Sequence, residues 1–190
     1  IDLMKKIIVC GRPNVGKSSF INRLLGKKTA ITAREAGVTR DLRYYEQIWN
    51  GKPFQICDTG GVIFSKDPEN PYQKKINDVV LAELDQAHKI IFMVDFNFPN
   101  HPEDKEIRKI LKNHLSKCAL VINKVDNHER KDELHEFYSY GISEIYPVSA
   151  LQGNGIGDLC DYLVKELSKD DSHIENIDKE HINVALIGKP

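Results

Sequence analysis

Apolar residues fall along this chain in two alternating rhythms. Short unbroken runs, Ile7-Ile8-Val9-Cys10, Ile90-Ile91-Phe92-Met93-Val94 and Cys118-Ala119-Leu120-Val121-Ile122, read as strands buried on both faces. Between and after them apolar residues recur every three or four positions, as in Ile76, Val79, Val80 and Leu84, then Ile107, Ile110, Leu111 and Leu115, and finally Ile156, Leu159, Leu163, Val164 and Leu167. That spacing predicts amphipathic helices. Leu42 to Trp49 and Lys52 to Cys57 read as two further strands joined at Asn50-Gly51, a strong signal for a tight antiparallel hairpin. A helix-compatible stretch from Ser19 to Leu25, a short polar helix near Arg130 to Tyr138 and a strand near Ile145 to Val148 complete the pattern. The expectation is an α/β domain over residues 4–167, with six strands, five helices, a mostly parallel sheet with one antiparallel strand, and helices on both faces.

Two segments, about Lys27 to Arg40 and Gly60 to Pro71, carry no periodicity. After Leu167 the composition changes: Asp170, Asp171, Glu175, Asp178 and Glu180 stand among few large apolar residues, which predicts an acidic flexible linker over 168–181. The chain then runs Ile182-Asn183-Val184-Ala185-Leu186-Ile187-Gly188-Lys189-Pro190, nearly repeating Lys6 to Pro13 with Gly188 in the place of Gly11. Residues 182–190 are therefore expected to open a second domain of the same kind.

The length of 190 residues suits one such domain with an extension. A net charge of −1 gives no overall electrostatic footprint for RNA or membrane. Cys10, Cys57, Cys118 and Cys160 sit in apolar surroundings without C-x-x-C spacing and read as buried free thiols of a reduced compartment. No His pair has metal-site spacing, no signal peptide precedes the first strand, and no run reaches membrane-span length, so a cytoplasmic location is expected. Ile1-Asp2-Leu3 reads as a cloning remnant ahead of a natural start at Met4.

Gly11-Arg12-Pro13-Asn14-Val15-Gly16-Lys17-Ser18 follows the first strand and opens the first helix. The G-x-x-x-x-G-K-[ST] spacing lets the backbone curl so that the N–H groups of Asn14, Val15, Gly16, Lys17, Ser18 and Ser19 point at phosphate oxygens, with the helix N-terminus adding positive potential. Lys17 is placed to reach the β- and γ-phosphates, and the Ser18 hydroxyl is the expected Mg²⁺ ligand. This is a P-loop NTPase pattern.

Asn123-Lys124-Val125-Asp126 follows another strand and selects the base. The Asp126 carboxylate can accept from guanine N1–H and the exocyclic amine, whereas adenine would leave it unpaired. Lys124 would lay its stem over the base, and Asn123 would tie this motif to the phosphate loop. Ser149-Ala150-Leu151 is expected to support the base, with an alanine N–H toward its oxygen. Asp58-Thr59-Gly60-Gly61 matches D-x-x-G: Asp58 would hold Mg²⁺ through water and the Gly61 N–H would sense the γ-phosphate. Thr39, directly before the hairpin, is the first choice for the hydroxyl that completes Mg²⁺ coordination, ahead of Thr29 and Thr32. The two irregular segments then become nucleotide-ordered switches.

The set G-R-P-N-V-G-K-S-S, G-V-T-R-D, D-T-G-G, N-K-V-D and S-A-L resembles the Era-like branch of translation-factor-related GTPases. The acidic linker and second loop resemble, within it, the Der (EngA) family of bacterial GTPases, which have two tandem GTPase domains and a C-terminal KH-like domain and are implicated in large ribosomal subunit assembly. The resemblance implies GTP/GDP and Mg²⁺ as ligands, and rRNA and the large subunit as partners reached through domains outside this sequence. The tRNA-modifying GTPase group is the alternative, and a nucleotide-gated binding module with little intrinsic hydrolysis is another. Val62 stands where Ras-like enzymes carry a water-orienting glutamine, which implies slow hydrolysis alone. Arg34, Arg40 and Arg43 are weak candidates for internal arginine fingers. By the same resemblance Asn14 would offer a side-chain oxygen to K⁺ beside the phosphates, making it, with Lys17, Thr39 and Gly61, part of the catalytic set.

Overall fold

The computed structural model describes residues 4–26, 42–60, 71–126 and 128–169. Thr39, Gly61, Val62, Arg34, Arg40, residues 1–3, most of the 168–181 linker and all of 182–190 lie outside that set.

The described elements are strands β1 (Lys6–Cys10), β2 (Arg43–Trp49), β3 (Lys52–Asp58), β4 (Lys89–Asp95), β5 (Cys118–Asn123) and β6 (Ile145–Pro147). The α-helices are α1 (Lys17–Leu25), α2 (Pro71–Gln86), α3 (Pro102–Ile110) and α4 (Ile156–Lys169). The strands form one sheet in the order β2-β3-β1-β4-β5-β6, with β2 antiparallel to β3 and every other pair parallel. Asn50 and Gly51 both have positive φ, 47° and 74°, as a two-residue primed turn requires.

The unbroken apolar runs serve two cores because successive side chains leave a strand on opposite faces. Ile7, Val9, Ile91, Met93 and Val121 pack with Phe20, Leu24, Leu159 and Leu163 from α1 and α4. Ile8, Cys10, Ile90, Phe92 and Leu120 pack on the other face with Val80, Leu84 and Ile107 from α2 and α3. All four cysteines are buried and unpaired, in agreement with their apolar settings.

Two helical expectations need correction. The stretch expected to continue α3 tightens after Ile110 into a 3-10 helix, Leu111–Lys117, and the polar helix near 130–138 is a 3-10 helix, His128–Tyr140. In the second, the core-facing Leu134, Phe137 and Tyr140 are three apart, a period that suits three residues per turn better than 3.6. Periodicity over two turns does not separate the two helix types in the first. α4 also runs to Lys169, two residues past the boundary expected at Leu167.

β1 lies between β3 and β4, so the chain leaves it to opposite sides, and a crevice is expected at the carboxyl ends of the strands. Those ends are Cys10, Asp58, Asp95, Asn123 and Pro147, each followed by a loop. Four of the five carry the motifs singled out in the sequence.

Candidate nucleotide-binding site

The phosphate loop is shaped by two glycines that no other residue could replace. A Cβ on Gly11 would stand 2.4 Å from the Met93 carbonyl oxygen. One on Gly16, whose φ is +97°, would stand 2.3 Å from the Asn123 side-chain nitrogen. Both contacts are far inside van der Waals range, so the loop passes directly over β4 and against β5. Asn14 also takes positive φ, 65°, a conformation asparagine tolerates better than most residues.

Lys17 curls back beneath this loop. Its Nζ donates to Gly11 O at 2.8 Å and Arg12 O at 2.9 Å, and the residue is 6% exposed. Burial pulls its pKa below the ordinary lysine value, opposed by the nearby Asp58 charge. An ammonium held in so dry a place favours a polyanion in the loop above it. Ser18 and Ser19, the next residues of α1, are exposed.

Asn123 joins three motifs. Its Nδ2 donates to Val15 O at 2.8 Å, and its Oδ1 accepts from Ala150 N at 2.9 Å. The expected tie between base motif and phosphate loop is therefore present. Through the second of these bonds Asn123 also engages the backbone N–H of Ala150 in the S-A-L loop. Lys124, at φ 71°, sends its Nζ to Asn14 O at 3.0 Å and Asp95 Oδ2 at 2.6 Å. Asp126 is exposed, and one of its oxygens accepts from the buried Ser149 hydroxyl at 2.6 Å. That hydroxyl in turn accepts from Gln152 N at 3.0 Å.

On the β3 side, Asp58 pairs in register with Val9 and is 4% exposed. Its Oδ1 accepts from Gly60 N at 2.8 Å, while the Thr59 hydroxyl donates to Val9 O at 3.0 Å. Ser18 and Asp58 offer hard oxygen donors of the kind Mg²⁺ takes, and no group of three His, Cys, Asp or Glu among the described residues could hold a metal unaided. Such a donor set fits an ion that borrows phosphate oxygens.

Four contributors were given no role by the motifs. Asp95 anchors Lys124. Arg12 lies 3.4 Å from Asp104 Oδ2 and 4.0 Å from Asp95 Oδ2, with its guanidinium 5.7 Å from the Phe98 ring centre. Asp104 is fully buried, and burial raises its pKa to about 6 against the opposing pull of Arg12. Arg23 donates to Ala150 O and Leu151 O. An acid closing the apolar run of β4 was the one visible signal, and it marks Asp95. Among the described residues no helix is long and apolar enough to cross a membrane.

Residues 6–124 match the family described as 50S ribosome-binding GTPase. GTPase Der of Aquifex aeolicus is 39% identical over 188 residues, covering 99% of this chain and 42% of that protein. GTPase Der of Christiangramia forsetii is 38% identical over 185 residues, covering 97% and 41%. The chain thus spans about two fifths of the length of these curated relatives. Among solved structures, a variant Era from Aquifex aeolicus bound to GDP·AlF4⁻ superposes with a TM-score of 0.70 at 29% identity, over 86% of this chain and 56% of that one. An Era complex with MgGDPNP and a 16S ribosomal RNA segment gives 0.66 at 29% identity, over 86% and 57%. The match spans the phosphate loop, its lysine and the asparagine bridge of this chain, and this chain belongs to the 50S ribosome-binding GTPase family.

Proposed function

We propose that this chain is a GTP-binding and GTP-hydrolysing switch domain, the first G domain of a Der-type protein acting in the cytoplasm on assembly of the large ribosomal subunit. The observation that carries the reading is Asn123, whose one side chain joins the phosphate loop, the base motif and the S-A-L loop. That coupling is what a site reading phosphates and base together needs.

In this reading the N–H groups of Asn14 to Ser19 and the Lys17 ammonium hold the phosphates, and Asp126, Ser149, Ala150 and Leu151 form the base end. Ser18, Asp58 and Thr39 would hold Mg²⁺, which when bound would supply positive charge against the phosphate oxygens. Gly61 senses the γ-phosphate. The Asn14 side chain is exposed and makes no hydrogen bond to the described residues, which supports its use as a K⁺ ligand. Val62 supports slow turnover without a partner or cation. The repeat at 182–190 and the relatives' greater length support a second G domain and further RNA-binding parts beyond this sequence.

The test is GTP binding and single-turnover hydrolysis by this chain, beside Lys17→Ala. Micromolar or tighter GTP binding that is lost in the variant, with ATP ignored by both, is the expected result. Equal affinity for ATP and GTP would overturn it.

A further inference from the structure

The nucleotide motifs stand at the carboxyl ends of the strands, and the opposite end of the sheet carries a cavity of its own. It encloses about 440 Å³ between the end of α2, the starts of β4 and β5 and the last turn of α4. His88, Lys89, Ser116, Lys117, Glu166 and Lys169 are among its lining residues.

Positive charge is in excess there. Lys89 Nζ lies 2.9 Å from Glu166 Oε2, and Lys169 Nζ bonds the other oxygen of the same carboxylate. Two ammonium groups thus share one acid, and the bonds from Lys169 and Lys89 hold the Glu166 carboxyl below the usual carboxylate range. Lys117 donates to Asp85 O at 3.1 Å and Ala87 O at 2.9 Å, closing the end of α2, and has no carboxylate among its described partners. Those carbonyls take two of its three N–H groups. The other acid at the cavity, Asp85, has a side chain 73% exposed and lies 3.4 Å from His114 Nε2.

The chain continues from the rim of this cavity. α4 ends at Lys169, and the next residues are Asp170 and Asp171. Two acids directly after a helix C-terminus oppose its dipole, which favours cations in that place. Carboxylates turned onto nearby ammonium groups would offset that repulsion. Two or three extended residues reach roughly 7 to 10 Å. That is the scale of a cavity which Lys169 bounds together with Lys89 and Lys117.

We propose that the cavity at the amino ends of β4 and β5 is a docking site for the acidic segment that follows α4, with Asp170 and Asp171 seated against Lys117 and Lys89. The contact fixes the direction in which the chain leaves this domain, at the end of the sheet opposite the nucleotide motifs. It does not depend on the guanine-nucleotide reading. Because the ion pairs lie at the surface, salt weakens the docking.

The test is a carboxyl NMR titration of Asp170 and Asp171 in the 190-residue chain. The sign of the shift separates the two arrangements. Docked carboxylates titrate below the ordinary aspartate value because of the lysines, whereas undocked ones beside the C-terminus of α4 titrate at or above it. At low salt at least one of the two should be lowered by about half a unit or more, and about 0.5 M NaCl should return it toward the ordinary value. Lys117→Gln keeps amide donors for the Asp85 and Ala87 carbonyls but removes the charge, and it should raise the lowered value. The double variant Asp170→Asn with Asp171→Asn lies beyond the last described helix turn and should shift the amide signals of His88, Ser116 and Lys117. It decides the matter if Lys117→Gln does not fold. Ordinary or raised values in the wild type at low salt, or lowered values that Lys117→Gln leaves unmoved, would overturn the proposal. So would a free tetraglutamate peptide that shifts the Ser116 and Lys117 signals while Asp170 and Asp171 titrate normally, since the cavity would then belong to an acidic segment of another chain.

Discussion

The side chain of Asn123 occupies the space that a Cβ on Gly16 would need, 2.3 Å from its nitrogen. Glycine at 16 and asparagine at 123 are therefore one structural decision made from two elements. Gly16→Ala should push Asn123 off Val15 O and Ala150 N. Asn123→Ala should leave both of those buried groups unpaired, at about 1–3 kcal/mol each. Both variants are expected to lose GDP affinity by roughly a hundredfold and to unfold at lower urea, checked by nucleotide titration and denaturant melts. A variant that keeps full affinity would separate the bridge from binding.

Asp126 accepts from the Ser149 hydroxyl through one oxygen, leaving the other for a ligand. In Asp126→Asn the amide oxygen can keep the Ser149 bond while the NH₂ faces the base, turning an acceptor into a donor. Preference should move from guanine to xanthine nucleotides, whose 2-oxo group takes the place of the amine. Competition between GDP and XDP measures the switch. Ser149→Ala should blunt it, because nothing then holds the amide oxygen inward.

The hairpin tip is held at a distance from this chemistry. Trp49 Nε1 and Asn50 Nδ2 both donate to Asp161 Oδ1, at 2.7 and 2.9 Å. Asp161→Ala should cost about 1 kcal/mol of stability, given the exposure of the contact, and leave GDP affinity unchanged. Thermal melts with nucleotide titration check both halves.

The strands were legible because β1, β4 and β5 must satisfy two cores at once, which forces unbroken apolar runs between polar loops. The motif residues were legible because phosphate and base impose donor geometry at fixed spacing. What the sequence concealed was pairing across distance. Arg12 and Asp104 are 92 positions apart, and neither announces the other. The 3-10 helix at His128–Tyr140 was written in the spacing of Leu134, Phe137 and Tyr140, yet its polar exterior resembles any surface helix. The engagement of the Ala150 N–H depends on the side-chain orientation of Asn123, which no spacing encodes.

Asp104 makes stability depend on pH. Its folded pKa, about 6, is above the ordinary 3.8, so the folded state holds that proton more tightly than the unfolded chain. Between about pH 4 and 6 the folded state binds more protons, and stability from this group falls as pH rises. The shift corresponds to roughly 3 kcal/mol as an upper figure. Asp104→Asn lacks the titration, so the stability of the variant relative to wild type should rise with pH across that window. Burial sets the window, with the Arg12 and His101 charges lowering it and Glu103 raising it. Urea melts of both proteins from pH 4 to 7.5 should show the gap changing, and a constant gap would mean that Asp104 titrates normally.

Hydrolysis should depend on the monovalent cation. Asn14 sits at the bend of the phosphate loop, its carbonyl holds Lys124 Nζ at 3.0 Å, and its side chain is left exposed with no bond to the described residues. A side-chain oxygen free beside a phosphate loop suits a weakly hydrated cation, which would place positive charge where negative charge gathers as the β–γ bond breaks. Val62 cannot orient water, so this charge has a larger share of the barrier to lower. K⁺ should raise the single-turnover rate roughly tenfold over Na⁺, equivalent to about 1.4 kcal/mol. Asn14→Ala should abolish the difference while GTP affinity holds, since the Asn14 carbonyl and the bridge through Asn123 are untouched. Equal wild-type rates in the two salts would reject the cation, and a K⁺ effect that survives in Asn14→Ala would move its ligand elsewhere in the loop.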